Sequence, residues 1–138
     1  MHSDHLTAEN LIQEACEILN TTYSFDEDVY LIEVVTEEDH WVEVSIYQTI
    51  DSFDVEKLDC TVTIGPIVKN LDLLYTFLKN NFELDYGSFA IINEDGVDLL
   101  VMVDSLLLES CSAADLASVV LYMAEVAHDT EALLMKYS

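Results

Sequence analysis

SAADLASVVLYMAEVAHDTEALLMK, residues 112–136, is the stretch that decides the fold. Leu116, Val119, Val120, Met123, Ala127 and Leu134 recur at three- and four-residue steps, the period of a helix. Ala117, Leu121, Ala124 and Ala132 widen this stripe beyond a single contact line. A helix this apolar cannot stand alone in water, so a sheet must lie beneath it. Ser112, with Asp115 three residues on, predicts a capping pair that also sets a carboxylate against the positive end of the helix dipole.

Working back from the helix, Gly87 to Asn93 and Val97 to Leu106 read as a hairpin closed by Glu94, Asp95 and Gly96. Gly96 supplies the left-handed backbone that such a turn demands. Before it, Asn70 is placed to cap a helix over Leu71 to Phe82. Leu71, Leu74, Tyr75, Leu78 and Phe82 form the stripe expected to face the core, with Leu73 and Phe77 towards another face. Either a subunit contact or a wide core stripe accounts for those two, and Leu73 and Phe77 are the expected dimer-contact residues.

Three strands precede that helix: Val29 to Thr36, Trp41 to Ile50, and Leu58 to Ile64, the last stopping at Gly65 and Pro66. Only Glu33 interrupts the first, so it is expected to be covered on both faces. The second alternates, with Val42, Val44 and Ile46 on one face and Trp41, Glu43, Ser45 and Tyr47 on the other. Glu37, Glu38, Asp39 and His40 make the turn between them. At the front, Thr7 is the expected cap of a one-faced helix through Leu11, Ile12, Ala15, Cys16 and Leu19. The order α-β-β-β-α-β-β-α predicts an α+β fold, an antiparallel sheet with helices packed on it. At 138 residues, the chain is expected to form one domain across 1–138.

Charge narrows the function. The chain has 4 Lys and no Arg against 28 Asp and Glu, a formal net charge of -24. Phosphate backbones need a cationic face, so direct nucleic-acid binding is excluded, and anionic membranes are disfavoured likewise. A hydrophobic share of 51% separates it from acidic disordered chains. The polar start, Met1 to Asn10, is unlike a secretory signal, and a cytoplasmic location is expected. Cys16, Cys60 and Cys111 are widely spaced beside apolar runs and read as buried thiols in a reducing compartment.

A family resemblance rests on particular residues. The helix Leu71-Asp72-Leu73-Leu74-Tyr75-Thr76-Phe77-Leu78-Lys79-Asn80-Asn81 is followed by Tyr86-Gly87-Ser88-Phe89-Ala90, the turn Asn93-Glu94-Asp95-Gly96, and a final helix opening Ser112-Ala113-Ala114-Asp115-Leu116. This order resembles the type III secretion chaperone-like fold, which includes class I secretion chaperones and the YbjN-type domain. Phe25-Asp26-Glu27-Asp28 is similar to both branches, while the final helix resembles the YbjN-type ending and departs from the secretion-chaperone pattern. The resemblance implies a non-enzymatic protein-binding module, often a homodimer. Secretion chaperones hold an extended effector segment along sheet and helices, and YbjN-type members are described as regulators.

No motif for catalysis, cofactor or metal emerges. Asp26, Glu27 and Asp28, and the Glu37 to His40 cluster, match no calcium loop and read as solvated turns. His40 lies near acids and Trp41 without a Ser or Cys beside it, and His128 is expected against Asp129 and Glu131. Gly65, Gly87 and Gly96 are isolated and cradle no phosphate. What remains is surface: Trp41, Glu43 and Tyr47 share one strand face and are the expected partner-binding residues, unless a helix or a dimer mate covers them. The expected function is a chaperone-like adaptor or regulator that acts as a homodimer and holds a protein partner, either through an extended segment or as a basic protein. The alternative is an acidic decoy that occupies the basic face of a nucleic-acid-binding protein.

Overall fold

Ser112 starts the long helix as its sequence requires. Its hydroxyl accepts from the Asp115 N–H at 3.0 Å, and the Asp115 carboxylate accepts from the Ser112 N–H at 3.2 Å. Two backbone donors that the helix leaves without partners are thereby satisfied. The computed structural model describes residues 4–37 and 39–137; Glu38, part of the expected turn, lies outside them. In chain order the elements are α1 (Asp4–Leu19), β1 (Tyr23–Asp26), β2 (Val29–Glu37), β3 (His40–Ile50), β4 (Glu56–Pro66), α2 (Leu71–Asn80), β5 (Ser88–Glu94), β6 (Val97–Leu107) and α3 (Ala113–Lys136).

The strands form one antiparallel sheet in the order β1-β2-β3-β4-β6-β5, with helices packed on it. The α+β class and the element order are those expected, with a short edge strand, β1, added in front. β1 forms because its inward residues have something to cover. Tyr23 and Phe25 lie against the buried ring of Tyr30, with centroid distances of 5.9 and 4.6 Å. Its turn onto β2 uses Glu27 and Asp28 with φ of 49° and 68°, the left-handed pair that a two-residue hairpin needs. Asn-Gly or Asp-Gly normally marks such a turn, and Glu-Asp hides it.

The core lies between the sheet and α3. Tyr30, Ile32 and Val34 of β2, Val44 and Ile46 of β3, Leu58, Cys60 and Val62 of β4, and Leu100 and Met102 of β6 point to that side. They meet Leu116, Val119, Val120, Met123 and Ala127 of α3, and α1 adds Ala8, Ile12, Ala15 and Cys16. α1 begins at Asp4, so Thr7 sits within its first turn and does not cap it. Gly87 has φ of 73° and lies tight against the sheet, where an added Cβ would come within 3.2 Å of the Val103 carbonyl.

α2 differs most from expectation. Leu73 and Phe77 are its buried residues, at 3% and 4% exposure, and Phe77 packs on Phe89 of β5 with ring centroids 5.0 Å apart. Leu71, Tyr75 and Leu78 of the other stripe face solvent, as does Phe82 just beyond the helix. The two stripes exchange roles because α2 flanks the edge strand instead of crossing the sheet. Only a narrow line of it finds core to touch. Leu73 and Phe77 are therefore part of this chain's own interior, and their assignment as dimer-contact residues is corrected.

Candidate functional site

All three helices contribute to the one core, and on the opposite side of the sheet the β2–β3 part stays exposed. Alternation along β2 and β3 sends Val29, Leu31, Glu33 and Val35, and with them Trp41, Glu43, Ser45 and Tyr47, to that open side. β2 is thus half-covered, and the expectation that both of its faces are buried does not hold. Val42, Val44 and Ile46 occupy the core side of β3, so Trp41 cannot turn inward; it is 54% exposed.

Cross-strand register defines the pattern on this face. Trp41 pairs with Val35, Glu43 with Glu33, Ser45 with Leu31, and Tyr47 with Val29. Beyond Tyr47 on β4 stands Asp59, whose carboxylate accepts from Thr49 Oγ1 at 2.9 Å and from Ser105 Oγ. Asp59 is therefore engaged within the sheet. The result is an apolar and aromatic surface set with carboxylates, rigid because it is carried on paired strands. Aromatic side chains in such a setting offer large contact area with few torsions to freeze on binding.

Two histidines missed as a pair in the sequence meet on another part of the molecule. His40 opens β3 and His128 lies on α3, yet their rings approach edge to face at 4.2 Å. His128 Nε2 lies 3.2 Å from Glu37 Oε1, and His40 Nδ1 lies 3.1 Å from Thr36 Oγ1. His128 thus takes its carboxylate from the end of β2, where Asp129 and Glu131 were expected. Its buried Nδ1 has no hydrogen-bond partner. No signal of local spacing marks this contact, since the residues meet only through the fold. It ties the β2–β3 hairpin to α3.

The cysteines are thiols held in their neutral form. Burial pushes Cys16 up to about 11, and burial with help from Asp104 raises Cys60 further. Cys111, half-buried, is raised by burial and by the neighbouring Asp115. It lines a shallow cleft of about 300 Å³ with Tyr86, Asp104, Leu107 and Asp115. A carboxylate beside a thiol opposes thiolate formation, so this cleft is poorly suited to nucleophilic chemistry. Asp26, Glu27 and Asp28 lie exposed at the β1–β2 turn. Among the described residues, no three His, Cys, Asp or Glu side chains are arranged to hold a metal ion. Among them too, no helix is long and apolar enough to cross a membrane.

This chain has the type III secretion chaperone-like fold. Nine chains of known structure match it. One is the Yersinia pestis type III secretion chaperone SycH, solved in complex with a stable fragment of YscM2. The likeness spans 91% of this chain and 97% of that one, with a TM-score of 0.59 and 19% sequence identity. No family model matches the chain, and no curated protein matches it in sequence.

Proposed function

We propose that this chain is a non-enzymatic, chaperone-like protein-binding module that holds a segment of a partner protein on its open sheet face. The observation that carries the reading is the exposure of Trp41 and Tyr47 on a face that no helix covers. The likeness to a chaperone solved with a fragment of another protein supports the same reading. Trp41, Glu43 and Tyr47 are the partner-binding residues. The module acts in the cytoplasm as one domain, in the manner of a YbjN-type regulator, and needs no cofactor.

It does so as a homodimer. The dimer contact is the exposed side of α2, where Leu71 is 79% and Leu78 71% exposed beside Tyr75. Apolar side chains clustered on one helix face are costly in water and are covered by association.

The test is capture of partners by the tagged protein from nuclease-treated extract, compared with a Trp41→Ala/Tyr47→Ala protein of unchanged circular dichroism. The reading requires that a stoichiometric partner held through a short segment be lost by the double variant. Retention of that partner would remove the open face from the function. The net charge of -24 favours one second reading, an acidic decoy for basic nucleic-acid-binding proteins. Release of the captured proteins by DNA or moderate salt would select it.

A further inference from the structure

Glu33 and Glu43 occupy directly opposed positions on β2 and β3, both exposed on the open face. Side chains so placed have Cβ atoms about 4.5–5.5 Å apart, and like charges there repel. A chain with cations to spare would neutralise the pair, but this one has no Arg and four Lys. Lys57 stands opposite Thr49 near the far end of β3, and Lys79 lies over the Tyr75 ring at 5.1 Å. Lys69 belongs to the link before α2, and Lys136 ends α3. Among the described residues, neither glutamate has a lysine partner.

The neighbours of the pair fix what would relieve it. One step along the face stands Trp41 paired with Val35, itself 71% exposed, and one step the other way stands Leu31 paired with Ser45. We propose that the open face recognises an arginine of the partner segment, its guanidinium held between the Glu33 and Glu43 carboxylates against the Trp41 ring. This inference rests on the partner-binding reading above and adds the chemistry of the segment. A guanidinium is planar, presents donors on two sides and stacks on aromatic rings, which suits two carboxylates beside an indole better than a compact ammonium does. Neighbouring positions on one sheet face are about 6.6–6.8 Å apart along the strand, the same step as i to i+2 in an extended peptide. The segment is therefore extended, with apolar residues two positions either side of the arginine, resting on Trp41 with Val35 and on Leu31.

The probe is an acetylated peptide with the core Leu-Ser-Arg-Ser-Leu, titrated into the isotope-labelled full chain at low salt. A second peptide carries citrulline, the uncharged isostere, in place of arginine. The expected result is amide shifts at Leu31, Glu33, Val35 and Glu43 together with the Trp41 indole N–H. Affinity should fall about tenfold or more with citrulline, and likewise in a Glu33→Gln/Glu43→Gln protein. Thermal unfolding gives an independent readout, since the double glutamine protein should melt higher once the repulsion is gone. Equal binding of the two peptides, no binding of either, or shifts on the helical side would overturn the inference. If a captured partner is lost by Trp41→Ala/Tyr47→Ala but kept by Glu33→Gln/Glu43→Gln, the arginine assignment fails while the open-face reading stands.

Discussion

The side-chain amide of Asn81 donates to the Phe89 carbonyl at 3.2 Å and accepts from the Phe89 N–H at 2.6 Å. Phe89 lies on β5, an outer strand of the sheet, and both of these backbone groups point away from β6. Asn81 therefore fills the place of a further strand at one residue and fastens the end of α2 to the sheet. Outer strands with open N–H and C=O groups invite pairing with other chains, and a side chain placed this way blunts that tendency. Asn81→Ala should lower stability by about 1–3 kcal/mol for two lost hydrogen bonds. Urea unfolding measures the loss, and light scattering should show increased self-association.

On α2, two neighbouring positions should behave oppositely. Phe77→Ala removes a buried ring and should destabilise by about 3–5 kcal/mol. Leu78→Glu changes a side chain that is 71% exposed in a single chain, so circular dichroism and melting should change little. If α2 is the dimer contact, sedimentation equilibrium should show Leu78→Glu as a monomer; an unchanged assembly would rule that contact out.

The β1–β2 turn holds two non-glycine residues in left-handed backbone. Glu27→Asn with Asp28→Gly supplies the residues that this turn prefers. The double variant should gain about 0.5–1 kcal/mol, seen as a melting temperature raised by about 2–5 °C.

Asp51 closes the β3–β4 turn by accepting from the N–H groups of Phe53 at 2.8 Å and Val55 at 3.1 Å. These bonds favour the charged form and hold its carboxyl below the ordinary aspartate range. For a depressed carboxyl, the stabilisation is present above the unfolded-state value and is lost as pH falls through the lower folded-state value. The Phe53 and Val55 amide resonances should titrate together at that lower pH. Asp51→Ala should abolish the titration.

Cys16 gives the opposite sign. Its thiol stays protonated in the fold up to about 11, so the stabilisation is present below the ordinary thiol value and is lost between that value and about 11 as pH rises. At mildly alkaline pH, Cys111 should react with a thiol reagent before Cys16 and Cys60, which should wait for unfolding. Mass spectrometry of the labelled peptides gives the order.

Signals that were local could be read from the sequence. Ser112 and Asp115 mark the start of α3 because both partners of the cap lie within one turn, and Asp95-Gly96 marks its hairpin because those residues prefer left-handed backbone. Glu27-Asp28 makes the same kind of turn without the preferred residues, which leaves β1 with no local turn signal. The two stripes of α2 were legible as stripes, but which one faces the core depends on where the helix lands beside the sheet. The candidate face shows the same limit. Alternation places Trp41, Glu43 and Tyr47 on one side of β3, whereas the openness of that side is a property of all three helices together. The meeting of His40 with His128 had no local signal at all.

The position of β6 between β4 and β5 also has a kinetic consequence. β1 to β4 form a meander and β5 with β6 a hairpin, so each half can assemble through short closures, and only the β4/β6 seam joins strands distant in the chain. Loop-closure entropy opposes that step more than it opposes either short closure, so among the strand pairings the seam is expected to form last. Until it closes, β4 in one half and β6 in the other are unpaired edges of matching register. Two chains folding at high concentration can therefore complete each other's sheets, and exchange of halves at this seam is the misassembly to which the topology is most open.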